Sequence, residues 1–140
     1  MADLTKQRLV ELADAKLADA KLLLEAGRRG NAYYLAGYAI ELMLKAILSS
    51  RFQSDTIPDR EWSTRVFIHD FEKLADLALL KGQIAQTVDS DDDFRARWQV
   101  VLQWKETSRY DSREMDEARE LIKAIEHPEH GVLQWLRARL

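Results

Sequence analysis

Residues 32–48, AYYLAGYAIELMLKAIL, form an apolar run long enough to make nearly five turns of helix with almost no polar face. Such a helix must be covered on most sides, which puts it at the centre of a helical bundle or on a subunit interface. Its only charges, Glu41 and Lys45, stand one helical turn apart, the spacing at which an acid and a base pair on a helix surface. The run is short for a membrane span and is interrupted by that charged pair, so it predicts a buried core helix and no membrane segment. The N-terminus opens directly into a polar, Leu-containing pattern without the apolar core of a signal peptide, and the chain lacks cysteine. Together these features predict a soluble, cytoplasmic protein.

The flanking sequence extends the helical pattern. Leu9, Ala13, Leu17, Ala20 and Leu24 recur at steps of three or four, predicting a first helix from about residue 4 to 28. The two ADAKL copies at 13–17 and 18–22 are too short for any repeat fold and reflect the helix propensity of Ala, Lys and Leu. Gly27 to Gly30 should end this helix, with Arg28 and Arg29 at the negative end of its dipole and Asn31 capping the next. Residues 52–67 carry loop chemistry. A third helix should run from His69 to near Gly82 with Phe71, Leu74, Leu77 and Ala78 inward, followed by a loop over 83–93. The acidic run 89–93 suits the start of a fourth helix carrying Phe94, Trp98, Val101 and Leu102, which should end near Ser108, Arg109 and Tyr110. Asp111 and Glu114 have capping-box spacing for a fifth helix with Met115, Ala118, Leu121, Ile122 and Ile125 inward. His127 and Pro128 stop it, and 132–140 forms a short final helix. The predicted fold is all-α: an up-and-down four-helix bundle with one or two short extra helices, in a single domain spanning 1–140.

Few residues offer chemistry. No glycine-rich phosphate loop, GxSxG elbow or nucleophilic cysteine is present. Glu41 and Lys45 either close a polar gap in a packed interface or put a carboxylate on the wall of a cleft. In residues 104–113, aromatic faces stand among Lys105, Arg109, Arg113 and several hydroxyls. That combination suits a phosphate or a stacked base, and equally a helix end at which Lys105 and Arg109 meet the dipole while Tyr110 packs as a lid. His69, beside Asp70, is a structural hydrogen-bonding residue or a proton carrier. His127 and His130 have HxxH spacing, with Glu126 and Glu129 nearby, but they straddle Pro128 and lack a clear third ligand, so neither metal nor cofactor is expected. The tryptophans at 62, 98, 104 and 135 should be core and lid residues. A net charge of −3 gives no global field to attract nucleic acid, which leaves only a local patch for that role.

In order and spacing, the run at 32–46, IHDFEKL at 68–74 and Ser108-Arg109-Tyr110 ahead of a long helix resemble the HEPN superfamily. These are four-helix bundles found in prokaryotic toxin–antitoxin systems and in kanamycin-nucleotidyltransferase-like proteins. The resemblance covers nearly the whole chain. It implies a homodimer and either of two activities. Many members are metal-independent ribonucleases with an Arg-x4–6-His motif, in which a base takes the ribose 2′-hydroxyl proton and a cation steadies the phosphate. By position Arg109 is the motif arginine, but Glu114, Met115 and Asp116 stand where the histidine belongs, and Arg119 and His127 fall one residue too far apart. Other members bind nucleotides or pair with a minimal nucleotidyltransferase. The chain is similar to that second branch, which implies a non-catalytic module that binds a nucleotide, RNA or a partner nucleotidyltransferase near Arg109. Arg109, Tyr110, Lys105, Lys45 and Glu41 are its candidate ligand residues. A ribonuclease with an altered site would use Arg109, His69 and Glu41. A purely structural interaction domain would use none of them.

Overall fold

The computed structural model describes residues 4–51, 64 and 67–140. Trp62 and most of the expected 52–67 loop lie outside the described residues. The described chain is all-helical, with seven α-helices and one 3-10 helix and no strand: α1 (Lys6–Glu25), α2 (Arg29–Ser49), α3 (Phe71–Leu77), α4 (Lys81–Ser90), α5 (Asp92–Leu102), the 3-10 turn Glu106–Tyr110, α6 (Met115–Glu126) and α7 (Val132–Arg137).

The Thr5 hydroxyl accepts from the Arg8 amide at 3.1 Å and opens α1, which buries Leu9, Ala13 and Ala20 against α2. Its end is a Schellman motif: Gly27 takes the left-handed backbone conformation (φ 77°), its N–H bonds Leu24 O and the Arg28 N–H bonds Leu23 O. The chain therefore reverses within residues 26–28, and α2 runs back along α1. One departure from expectation follows. α2 starts at Arg29, so Asn31 lies inside its first turn and the preceding Arg28 makes no side-chain cap. Arg29 sits at the positive end of α2 as well as near the negative end of α1.

α2 is the central helix, packed by α1, α3, the 3-10 turn, α6 and α7. Thirteen of its residues are buried, among them Ile40, Met43, Leu44 and Ile47. The all-round apolar surface that suggested a subunit interface is thus covered by the chain's own helices.

The third helical stripe divides in two. α3, capped by the Asp70 carboxylate on the Lys73 amide at 3.0 Å, ends at Leu77 in a second Schellman motif. Here the left-handed position is filled by Leu79 (φ 63°), which is 70% exposed. α4 begins at once, so Gly82 stands within a helix rather than ending one, and 83–90 is helix where a loop was expected. Asp91 caps α5 through the Phe94 amide at 3.0 Å, with Asp92 and Asp93 in the first turn, as the acidic run predicted. α5 ends at Leu102, earlier than expected, and Ser108, Arg109 and Tyr110 belong to the separate 3-10 turn. The reciprocal cap of α6 lies three residues beyond the expected Asp111: the Glu114 amide donates to Glu117 Oε1 at 3.2 Å. α7 closes the bundle. Trp135 donates from Nε1 to Thr87 Oγ1 at 3.1 Å, beneath the Arg139 guanidinium at 3.4 Å from the ring centroid.

Candidate functional site

Glu41 is the most deeply buried charged residue described, 1% exposed. A bare carboxylate there would be costly, and the fold supplies two donors. Lys45 Nζ reaches Oε2 at 3.3 Å from one turn along α2, which realises the pairing read from the sequence. His69 Nδ1 reaches Oε1 at 2.8 Å from the residues leading into α3. Because a carboxylate accepts, Nδ1 is the donor and Nε2 is left for other partners. His69 is 44% exposed and lines a cavity of about 320 Å³ with Phe71, Trp104, Lys105 and Thr107. Asp70, Glu72 and Glu106 share that cavity, so three carboxylates stand around the one ammonium of Lys105. Tyr38 packs close by; burial, then the charge of Glu41, holds its phenol above the usual range.

Trp104 sets the geometry of this region. Its indole stacks on Phe71 (centroids 5.0 Å, planes 5° apart) and lies against Gly37 of α2, where any Cβ would overlap the ring. The absent side chain of Gly37 thus lets the stretch after α5 dock on α2. Ser108 then turns the chain: it is buried, and its Oγ accepts from the Lys105 amide at 3.1 Å. Tyr110 projects into solvent. The Arg109 side chain lies outside the described part of the structure.

Immediately beyond the turn is a cavity of about 330 Å³ lined by Gly27, Arg28, Arg29, Gly30, Asn31, Asp111, Ser112 and Arg113. Three arginines face one carboxylate there. Arg113 is partly neutralised, bonding Asp111 at 3.3 Å and Glu117 at 3.2 Å with its guanidinium 4.3 Å from the Tyr33 ring centroid. Arg28 and Arg29 pair with no carboxylate among the described residues. Among the described residues no side chain caps the first amides of α2 either. The 3-10 turn therefore separates two chemically different cavities: one rich in carboxylates beside His69, the other with an excess of positive charge at the start of α2. Arg29 and Glu41 are about 18 Å apart along the α2 axis, so the two regions cannot grip one phosphate.

Among the sequence candidates, Glu41, Lys45 and His69 are brought together, and Lys105 shares a cavity with His69. The HxxH pair is not a metal pair. His127 Nδ1 accepts the backbone amides of Glu129 (3.2 Å) and His130 (3.0 Å) and serves the turn. Sequence reasoning missed Arg28 and Arg29, which it assigned to the end of α1, and the role of Gly37. A glycine within an otherwise uninterrupted apolar helix was the available signal for close approach.

The fold defines a class, the all-helical bundle with a covered central helix. Comparison with family models, with curated proteins and with solved structures finds no match to this chain.

Proposed function

We propose that this protein is a HEPN-like helical binding module without catalytic activity, whose ligand is a phosphate-bearing anion, a nucleotide or RNA, held beside the turn that carries Arg109. One observation carries the proposal: in a chain of net charge −3, Arg28, Arg29 and Arg113 line a single cavity directly after Tyr110. Guanidinium groups and unpaired helix-start amides are what a phosphate needs. A second copy and a partner nucleotidyltransferase enter this proposal from the resemblance alone, since α2 needs no second chain to cover it.

The test is a titration of purified protein with a mononucleotide and with a short RNA, beside the Arg28→Ala/Arg29→Ala variant. The variant should bind at least tenfold more weakly, with a shallower dependence on salt. Equal binding by both proteins would refute the assignment.

A different geometry favours the ribonuclease alternative. The Glu41–His69 contact at 2.8 Å orients an exposed imidazole, as a general base requires. That alternative predicts RNA cleavage by metal-free protein that disappears in His69→Ala and in Arg109→Ala. Intact RNA after incubation with the unaltered protein is the outcome expected from a binding module.

A further inference from the structure

We propose a site for a first-row divalent transition-metal ion where the start of α5 meets the turn between α6 and α7, with His130 Nε2, Asp93 and Glu129 as its ligands. Asp91 Oδ2 accepts from His130 Nδ1 at 2.9 Å, which leaves Nε2 as the ring's other nitrogen. Around Nε2 stand Asp93 Oδ2 at 3.9 Å and Glu129 Oε2 at 3.8 Å. Carboxylate and imidazole donors bound tetrahedrally to zinc lie about 3.4 Å apart, so each carboxylate stands within roughly half an ångström of that separation from Nε2, and the two exposed carboxylates must rotate toward each other to share one ion. A carboxylate behind the imidazole, in the place of Asp91, is the usual support of a metal-bound histidine.

Asp91 is itself fixed, because its other oxygen caps α5 through the Phe94 amide. These residues come from two stretches far apart in the chain, 91–93 and 129–130, and the imidazole favours a transition ion over Mg²⁺. Three carboxylates around one imidazole leave local negative charge even with that ring protonated. Arg97 offsets part of it, its Nη1 donating to Asp93 O at 2.9 Å and standing 3.9 Å from Asp93 Oδ1. The His127 ring lies 5.4 Å from that of His130, but its Nδ1 accepts from the turn's amides, which places the proton on Nε2 and leaves that nitrogen no lone pair for a metal.

The experiment is calorimetric titration of chelator-treated, full-length protein with Zn²⁺, beside His130→Ala, Asp93→Asn, Asp91→Asn and, as a control, His69→Ala. One ion should bind per chain. His130→Ala should abolish binding, Asp93→Asn should weaken it at least tenfold, and His69→Ala should leave it unchanged. Asp91→Asn keeps a capping side chain while removing the carboxylate behind His130, and should weaken binding ten- to a hundredfold. No heat of binding, equal binding by His130→Ala, equal loss in His69→Ala, or Mg²⁺ binding as tightly as Zn²⁺ would each overturn the site.

Discussion

At Gly37 and Trp104, one missing side chain decides how the stretch carrying the candidate site is held. The indole occupies the space a Cβ would need, stacks on Phe71 and sits 6.0 Å from the Tyr34 ring. Gly37→Ala forces that ring off α2. Overpacking a closely filled core costs about 1–3 kcal/mol, whereas the better helix propensity of alanine returns at most about 1 kcal/mol. We expect a net loss of about 1–2 kcal/mol in urea unfolding, together with weakened ligand binding beside the turn. An unchanged unfolding midpoint would show that the indole does not rest there. Gly37 was visible in the sequence as a residue, but its partner is 67 positions away in a segment with no local feature naming it.

At the scale of the element, helix ends are decided by single residues. Leu79 holds a left-handed conformation that costs a branched side chain about 1 kcal/mol, and most of its surface is in water. Leu79→Gly should therefore stabilise the protein by about 0.5–1 kcal/mol, read as a higher unfolding midpoint; a lower midpoint would mean that its side chain contributes to packing. The helix starts respond to acid. The Phe94 amide and then His130 hold Asp91 below the usual carboxylate range, and the Glu114 amide and then Arg113 do the same for Glu117. For a carboxylate with a depressed folded-state pKa, the stabilisation is present above the unfolded pKa of about 4 and is lost as pH falls through the folded value. The thermal midpoint should be flat in this respect above about pH 5 and should fall below about pH 4. Asp91→Asn, which keeps the cap but cannot titrate, should show a shallower fall; an unchanged slope would exclude Asp91 as a contributor. The acidic run made the start of α5 legible, because carboxylates at a helix start are a local signal. The break between α3 and α4 was not legible, because a leucine took the position where a glycine would have announced it.

Across the whole molecule, burial holds the helices together and surface charge contributes little. Lys21 and Glu126 join α1 to α6 at 2.8 Å, yet they are 51% and 35% exposed, and Arg137 bonds Asp14 in a similarly open setting. Solvent screens such pairs, so Lys21→Ala should change stability by less than about 1 kcal/mol. Leu121→Ala, inside the core between α6 and α2, should cost about 2–5 kcal/mol. Comparable losses in the two variants would overturn that division. The covered state of α2 also shows why an apolar run alone cannot announce a dimer: five other elements of the same chain were available to bury it.

By itself the sequence determined the helical class, the need of α2 to be covered on most sides, the pairing of Glu41 with Lys45 and the capped start of α5. Each of these rests on periodicity or on neighbours within one turn of helix, interactions that a linear string displays directly. Only the tertiary structure decided that His69 bonds Glu41, that Trp104 rests on Gly37, that Arg28 and Arg29 share a cavity with Arg113, and that the His130 ring bonds Asp91. In every one of those cases the partners lie far apart along the chain. Their meeting is set by how the buried helices pack, because the free energy of burying apolar faces fixes the contacts and the polar side chains take the partners that packing brings within reach.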